Sequence, residues 1–187
     1  MLRHLRTQFF LVISTILLCS VAYPLLLLAL AQGLLPEKAN GSLVLDTHGN
    51  VNGSYLLAQA SPGDEWFQPR PSAVDYNASG SGGSNLGANN PKLHERVEKQ
   101  LQALNYSRPV PADAVTTSGS GLDPHITMEN ARLQVPRVAR TRQSTIQQVE
   151  EILKNCAVAT PLGGPMLINV LETNLALEKL YPRRNSR

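Results

Sequence analysis

Serines beside glycines are the residues of this sequence best suited to act as nucleophiles. They are Ser79, Ser81, Ser84, Ser118 and Ser120. A serine becomes nucleophilic only beside a base, and no pairing of a histidine with an acid singles out one of these serines. The sequence also lacks the phosphate loop, the nucleophile elbow and the zinc-binding histidine pair of common enzyme classes. The residues themselves therefore predict no catalytic residue, no metal site and no bound cofactor.

The same glycine-rich stretches are able to bind another chain through their backbone. Backbone N–H groups in such loops hold anions or a partner's backbone, and glycine permits close approach. Ordinary turns explain the composition equally well, so both interpretations stay open. The candidate docking residues in these loops are Ser81, Gly82, Gly83, Ser84, Asn85, Ser118, Gly119, Ser120 and Gly121.

A run of arginines follows the second glycine-rich stretch and is a further candidate docking surface. Its members are Arg132, Arg137 and Arg140, with Arg142 beyond them. Such a run is able to bind acidic residues, lipid phosphates or a nucleotide. A solvated helix face is the alternative interpretation.

An uncharged apolar segment, residues 9–31, must hold these loops at a membrane. A helix of this length measures about 34 Å and crosses a bilayer core of about 30 Å. A short basic tail, residues 1–8, precedes it, and a linker is predicted over residues 32–42. The alternative is a cleavable signal peptide ending at Ala29-Leu30-Ala31, but its apolar part would be shorter, about 7–15 residues.

Charges beside the apolar segment predict its orientation. Arg3 and Arg6 precede it, whereas Lys38 is the basic residue that follows most closely. Because positive charge favours the cytoplasmic side, the N-terminus is predicted to be cytoplasmic and the C-terminal domain extracytoplasmic. Arg3 and Arg6 also supply two of the three net positive charges of the chain. The outer domain therefore has no bulk charge suited to nucleic acid.

The outer domain, residues 43–187, is predicted to be one α+β domain with a small sheet and three or four helices. Residues 43–45 and 51–59 are predicted strands, joined by a turn at His48-Gly49-Asn50. Residues 61–90 are predicted to be a long ordered surface loop. The glycine-serine loops occupy residues 78–87 and 116–121.

Capping signals and apolar periodicity predict the helices. Asn90-Pro91 begins a helix over residues 91–105. Ser144-x-x-Gln147 and Asn169-x-x-Glu172 have the form of capping boxes, with the turn Leu162–Pro165 between the two helices they begin. Ala131, Val135 and Val138 share a helical face, although Pro136 is predicted to break or kink that segment.

Several long motifs resemble the KdpC family, the small single-span subunit of the bacterial Kdp potassium-transporting ATPase. The matching stretches are NGS at 40–42, FQPRPSAVDYN at 67–77, SGGSNL at 81–86, NP at 90–91, VTTSGSGLDPHI at 115–126, QVPRVARTR at 134–142 and NVLETNLALEKL at 169–180. Together with the apolar segment, the resemblance covers essentially the whole chain.

This resemblance implies a non-catalytic subunit of an ATP-driven, high-affinity potassium import complex in the bacterial inner membrane. The implied partners are a channel-like potassium-binding subunit, a P-type ATPase subunit and a small single-helix subunit. The family is described as a catalytic chaperone that raises the affinity of the ATPase subunit for ATP. ATP would then be shared with that subunit, and Gln134 matches the glutamine implied to contact the nucleotide.

Two function classes remain as alternatives to an accessory subunit. One is a membrane-tethered extracytoplasmic serine hydrolase that uses a serine beside glycine, and the other is a free-standing envelope-binding module. The predicted orientation also conflicts with direct nucleotide contact, because an outer domain meets no cytosolic ATP. The residues favour a cap over the outer mouth of the channel-like subunit.

Overall fold

A computed structural model describes residues 2–46, 48–104, 106 and 109–182. The chain forms two compact units, Met1–Asn52 and Gly53–Arg187. The first contains a long apolar helix, and the second contains a three-stranded sheet with several helices. The architecture is α+β, which confirms the predicted fold class.

The first unit begins with a continuous helical segment. Helix α1 (Leu2–Ile16) passes through π-helical residues Leu17–Ala22 into α2 (Tyr23–Leu34). Pro24 lacks a backbone N–H and displaces the carbonyl four residues before it, and a local π-helix accommodates such a disruption. Among the described residues, Arg3–Leu34 is the one helix able to cross a membrane by length and composition, with a mean hydropathy of 2.4 over an 18-residue window.

Helix occupies much of the stretch predicted as a linker, residues 32–42. Helix α2 continues to Leu34, and α3 (Pro36–Ala39) follows directly. The break falls at Leu35 because a residue before proline disfavours helical backbone angles. The carboxamides of Gln32 and Asn40 pair across this bend, with N···O distances of 3.0 and 3.4 Å. The end of α2 is therefore an ordered bend.

A two-stranded hairpin follows, made of β1 (Leu43–Leu45) and β2 (Val51–Ser54). The second strand was predicted to reach Gln59, but a turn ends it at Ser54. The Ser54 carbonyl accepts a hydrogen bond from the Leu57 N–H, and the Ser54 hydroxyl accepts one from the Leu56 N–H. In the hairpin loop, backbone N–H groups of Asn50 and His48 donate to the Asp46 carboxylate and lower its pKa.

The main sheet of the second unit was not predicted. Strands β3 (His125–Thr127), β4 (Ala157–Ala159) and β5 (Met166–Asn169) form an antiparallel sheet in the order β3-β5-β4. Val158 lies opposite Leu167, and Ile126 lies opposite Ile168. The predicted turn at Leu162–Pro165 therefore lies inside a β-hairpin, whose strands are too short to show a period-two pattern.

Five helices complete the described part of this unit. They are α4 (Pro91–Leu104), α5 (Ala112–Val115), α6 (Met128–Thr141), α7 (Ile146–Cys156) and α8 (Val170–Leu180). The predicted helix over residues 91–105 is confirmed as far as Leu104, and Asn105 lies outside the described residues. Pro136 does not end α6. Pro136 and Arg132 are exposed, so water can reach the Arg132 carbonyl that the proline leaves without a helical partner.

The core lies where α6, α7 and α8 pack on the sheet. Its fully buried members include Ile126, Val135, Val149, Ile168 and Leu177. Phe67 joins them from residues 61–90, a stretch that contains neither helix nor strand. This stretch is the predicted ordered loop, and Phe67 anchors it to the core.

The start of α7 differs by one residue from the prediction. Thr145, rather than Ser144, is the N-cap: its hydroxyl accepts from the Gln148 N–H, and the Gln148 side chain accepts from the Thr145 N–H. The predicted N-cap of α8 at Asn169 is confirmed, because the Asn169 side chain accepts a hydrogen bond from the Glu172 N–H.

Thr145→Ala tests this assignment, with Ser144→Ala as its neighbour control. Removing the capping hydroxyl should destabilise the second unit by about 1 kcal/mol, since Thr145 satisfies an otherwise unpaired helix N–H. The measurement is urea unfolding of the full-length chain in detergent, followed by the fluorescence of Trp66, the single tryptophan of the sequence. A larger effect of Ser144→Ala would contradict the assigned cap.

Candidate functional site

The two predicted glycine-serine loops bind to each other. The Gly82 N–H donates to the Ser120 carbonyl at 2.8 Å, and the Ser81 hydroxyl donates to the same carbonyl at 3.1 Å. The Ser72 hydroxyl donates to the Gly121 carbonyl at 2.7 Å. We call residues 72–83 and 118–122 the loop pair. The close backbone approach that glycine permits therefore joins two loops of this chain.

Two glycines of the loop pair have no room for a side chain. A Cβ on Gly121 would lie 2.7 Å from the Gly82 carbonyl oxygen, and Gly121 has a φ of +71°. A Cβ on Gly83 would lie 2.9 Å from the Gly119 carbonyl oxygen. Both distances are shorter than real Cβ contacts, so these glycines are needed for the loops to meet.

The predicted loop residues differ in their exposure. Ser118 and Gly121 are buried, whereas Ser81, Asn85, Gly119 and Ser120 are exposed. Gly82, Gly83 and Ser84 lie between these extremes. The loop pair therefore presents only part of the predicted docking residues to another molecule.

An open depression of about 560 Å³ lies beside the loop pair. Its walls include Ser81 and Ser118–Ser120 from the loops, Leu56 and Leu57 from the turn after β2, and Asp123. The mixture of backbone, hydroxyl and leucine side chains is suited to a polypeptide surface more than to a small charged ligand.

Arg70, Asp123 and His125 form a polar group beside this depression that sequence reasoning missed. The guanidinium of Arg70 and the Nδ1 of His125 each lie 3.5 Å from a carboxylate oxygen of Asp123. Arg70 also donates to the Thr117 carbonyl, and the Tyr76 hydroxyl donates to the Arg70 carbonyl. Burial, with a smaller effect of Asp75, raises the pKa of Tyr76. The prolines and turns around these residues gave no sequence signal for the grouping.

The hydroxyls of Ser79, Ser81 and Ser120 make structural hydrogen bonds rather than the contacts of an activated nucleophile. The Ser79 hydroxyl donates to the Asn77 side chain, and the Ser120 hydroxyl accepts from the Leu122 N–H. The Ser81 hydroxyl donates to a carbonyl, as described above. The bonds of Ser79 and Ser120 stabilise local turns, whereas that of Ser81 joins the two loops.

The predicted arginine run divides into exposed, half-buried and buried members. Arg132 and Arg140 are exposed on α6. Arg137 instead donates to the Asp64 and Trp66 carbonyls and to the Gln134 side chain, at 2.6, 3.0 and 2.9 Å. Arg142 stacks on Trp66, with its guanidinium carbon 4.4 Å from the ring centre, and binds Glu178. Only Arg132 and Arg140 therefore present their side chains as the prediction required.

Gln134 is buried, and all of its hydrogen-bonding positions are occupied. Its carboxamide oxygen accepts from the Gln68 N–H at 2.7 Å and from Arg137. Its nitrogen donates to the Gln68 carbonyl and to the Asn130 side chain, both at 3.1 Å. In this conformation the side chain holds the 61–90 loop, and contact with a nucleotide requires these bonds to break.

A buried acid extends this network and was not predicted. The Asp113 carboxylate accepts from the Thr127 N–H at 2.7 Å, from the Thr127 hydroxyl and from the Asn130 side chain. Asp113 thereby joins α5 to the start of α6. Its three donors account for a buried carboxylate without a metal.

Comparison with known proteins gives a match over nearly the whole chain. A family model described as K+-transporting ATPase, c chain, matches residues 5–179. A potassium-transporting ATPase KdpC subunit of Pseudomonas putida (strain F1) is 45% identical over 182 residues, which cover 96% of this chain and 98% of the relative. The Pseudomonas entomophila protein of that name is 47% identical over 91% of this chain and 94% of its own length. That of Caulobacter sp. (strain K31) is 44% identical over 97% of this chain and 96% of its own length.

Gly121→Ala tests the packing of the loop pair, and Gly119→Ala is its control. The first substitution should destabilise the second unit by at least about 2 kcal/mol, because alanine is strained at this φ and its Cβ meets a carbonyl. A Cβ on Gly119 meets no atom within 4 Å, so that change should cost less than about 0.5 kcal/mol. Urea unfolding of the full-length chain provides both values, and equal effects would refute the interlocked packing.

Proposed function

This chain belongs to the KdpC family, and from that premise we propose that it is an accessory, non-catalytic subunit of an ATP-driven potassium import complex. The observation that carries the proposal is the family match over residues 5–179, which includes both the apolar helix and the second unit. A match confined to one unit would allow a different assembly. The proposed partners are a channel-like potassium-binding subunit, a P-type ATPase subunit and a small single-helix subunit.

The proposed location is the bacterial inner membrane, with a cytoplasmic N-terminus and the second unit outside. The long apolar helix supplies the anchor, and the flanking charges of Arg3 and Arg6 favour this orientation. The outer unit would cap the channel-like subunit and stabilise the assembly.

The proposed docking surface combines the depression beside the loop pair with Arg132 and Arg140. The depression offers exposed backbone and hydroxyl groups of Gly119 and Ser120, and the two arginines offer exposed positive charge. A partner with acidic residues and a complementary polypeptide ridge would satisfy both. Arg137 is excluded from this surface because its guanidinium holds the backbone at Asp64 and Trp66.

The proposal includes the effect on ATP affinity that the family resemblance implies. Gln134 is buried with every hydrogen-bonding position occupied, so we assign this effect to subunit contacts rather than to a nucleotide site on this chain. A change in the docking surface would then alter the ATP affinity of the ATPase subunit without any nucleotide contact on this chain.

Assembly is tested by purifying the tagged chain in mild detergent from membranes of potassium-starved cells. The wild-type chain should recover a multi-span channel-like protein and a P-type ATPase in near-equal amounts. Arg132→Glu with Arg140→Glu should lower their recovery at least about fivefold at low salt, because charge reversal opposes an acidic partner.

Lys92→Glu with Arg96→Glu is the matched control, since both residues are exposed on α4 and the net charge changes equally. Equal losses in the two double variants would remove the specific role of Arg132 and Arg140. A wild-type chain recovered alone would overturn the accessory-subunit proposal and return attention to the tethered hydrolase or the free-standing module.

Gln134→Ala distinguishes the indirect route to ATP affinity from direct contact. The substitution should destabilise the second unit by about 3 kcal/mol, since it leaves the Gln68 backbone and Asn130 without partners. In complexes that remain folded, the ATP concentration for half-maximal ATPase activity should equal that of the exposed control Gln147→Ala. A raised concentration with unchanged urea unfolding would instead support nucleotide contact by Gln134.

A further inference from the structure

The depression beside the loop pair has a buried serine hydroxyl in its wall. Ser118 lines the depression, and only 3% of this residue is exposed. Its N–H and its carbonyl are both paired with backbone groups, but its hydroxyl has no hydrogen-bond partner among the residues that the structure describes. Because buried hydroxyls are nearly always hydrogen-bonded, the partner of this one must enter from the depression.

A carboxylate lies in the same wall. Asp123 is the one charged residue among the described residues that line the depression, and 34% of its side chain is exposed. Its carboxylate accepts a hydrogen bond from the His125 N–H at 3.0 Å, whereas the Arg70 guanidinium and the His125 ring lie 3.5 Å away. Charged pairs in good contact approach to about 2.7–2.9 Å, and a carboxylate accepts about four hydrogen bonds. Asp123 therefore keeps accepting capacity for a ligand in the depression.

Much of the remaining wall is apolar. Leu56, Leu57 and Leu122 line the depression, and Leu56 is exposed. A ligand that fits these walls has a hydrocarbon part that covers leucine and a cationic end that donates to oxygen atoms. A basic side chain has this composition, because its hydrocarbon stem packs on apolar surface while its charged end keeps polar partners.

The two oxygen acceptors favour lysine over arginine. The ammonium group of lysine is a compact charge with three donors that rotate freely, so it can bind a hydroxyl and a carboxylate on separate positions of a loop. A guanidinium is best matched by two oxygens of one carboxylate in its plane. The carboxylate of Asp123 already faces one guanidinium, that of Arg70, which does not line the depression.

We propose that the depression binds a lysine side chain of the channel-like subunit, whose ammonium group donates to the Ser118 hydroxyl and to the Asp123 carboxylate. The leucines cover the stem of this lysine. The inference rests on the proposed function, which places the second unit over the channel-like subunit. A lysine of a protein fits better than a free amine, because the depression is open and is also lined by the exposed residues Gly119 and Ser120, which can contact the adjoining polypeptide.

Ser118→Ala tests the hydroxyl, because the described chain loses no hydrogen bond with it. The thermal midpoint of the full-length chain in detergent should stay equal or rise, whereas recovery of the channel-like subunit in the purification described above should fall at least about fivefold. Asp123→Asn should lower this recovery at least about tenfold, since it keeps an acceptor for the His125 N–H but removes the charge. Asp75→Asn is the matched control, because Asp75 is exposed and does not line the depression, and it should leave recovery unchanged.

A water-soluble carbodiimide tests the contact directly, because it joins a carboxylate and a touching amine as an amide, with loss of water. In membranes containing all subunits, the wild-type chain and Asp75→Asn should yield an adduct between Asp123 and a lysine of the channel-like subunit, located by mass spectrometry. Asp123→Asn should yield none.

Three results would overturn this inference and leave the proposed function standing. They are normal recovery with Ser118→Ala, a loss of recovery in step with a lower thermal midpoint of that variant, and an intact complex in which Asp123 forms no adduct or one with a lipid amine, a different subunit or a second copy of this chain. A wild-type chain recovered without partners would overturn the proposed function as well.

Discussion

Two side-chain carboxamides hold the backbone on which the second unit depends. Asn174 accepts from the Phe67 N–H at 2.9 Å and donates to its carbonyl at 3.0 Å. Gln134 does the same for the next residue, Gln68. These carboxamides supply the backbone hydrogen bonds that a neighbouring strand would otherwise give to an extended segment. Phe67 can therefore enter the core from a segment without helix or strand, and no backbone polar group of the pair is left unpaired.

This arrangement makes α6 the organising helix of the unit. One side of it supplies Val135 and Val138 to the core. Its polar residues instead bind the 61–90 loop, since Gln134 holds Gln68 and Arg137 holds Asp64 and Trp66. Arg142, just beyond the helix, adds the Glu65 carbonyl and stacks on Trp66. Helix α6 has the sequence of a basic, solvated helix, but most of these polar side chains bind the 61–90 loop of the same chain.

Features with a local cause were predictable from the sequence. The start of α4 follows from Asn90-Pro91, the cap of α8 from Asn169, and the apolar helix from its composition. The strand β1 was predicted at residues 43–45 beside its glycine-containing turn, but β4 and β5 were not, because they are too short to display a period. The mutual contact of the loops at Gly82 and Ser120 also depends on residues 38 positions apart, a relation that neither loop's composition contains.

Contacts within the chain distinguish residues that stabilise the fold from residues that remain available to a partner. Gly121, Gln134 and Arg137 look functional in sequence, but their conformation, hydrogen bonds or charge are accounted for inside the chain. Arg132 and Arg140 differ, because both are exposed and their charge is not accounted for in this way. Under the proposed function, residues whose exposed chemistry the fold does not explain are the first candidates for contacts with other subunits.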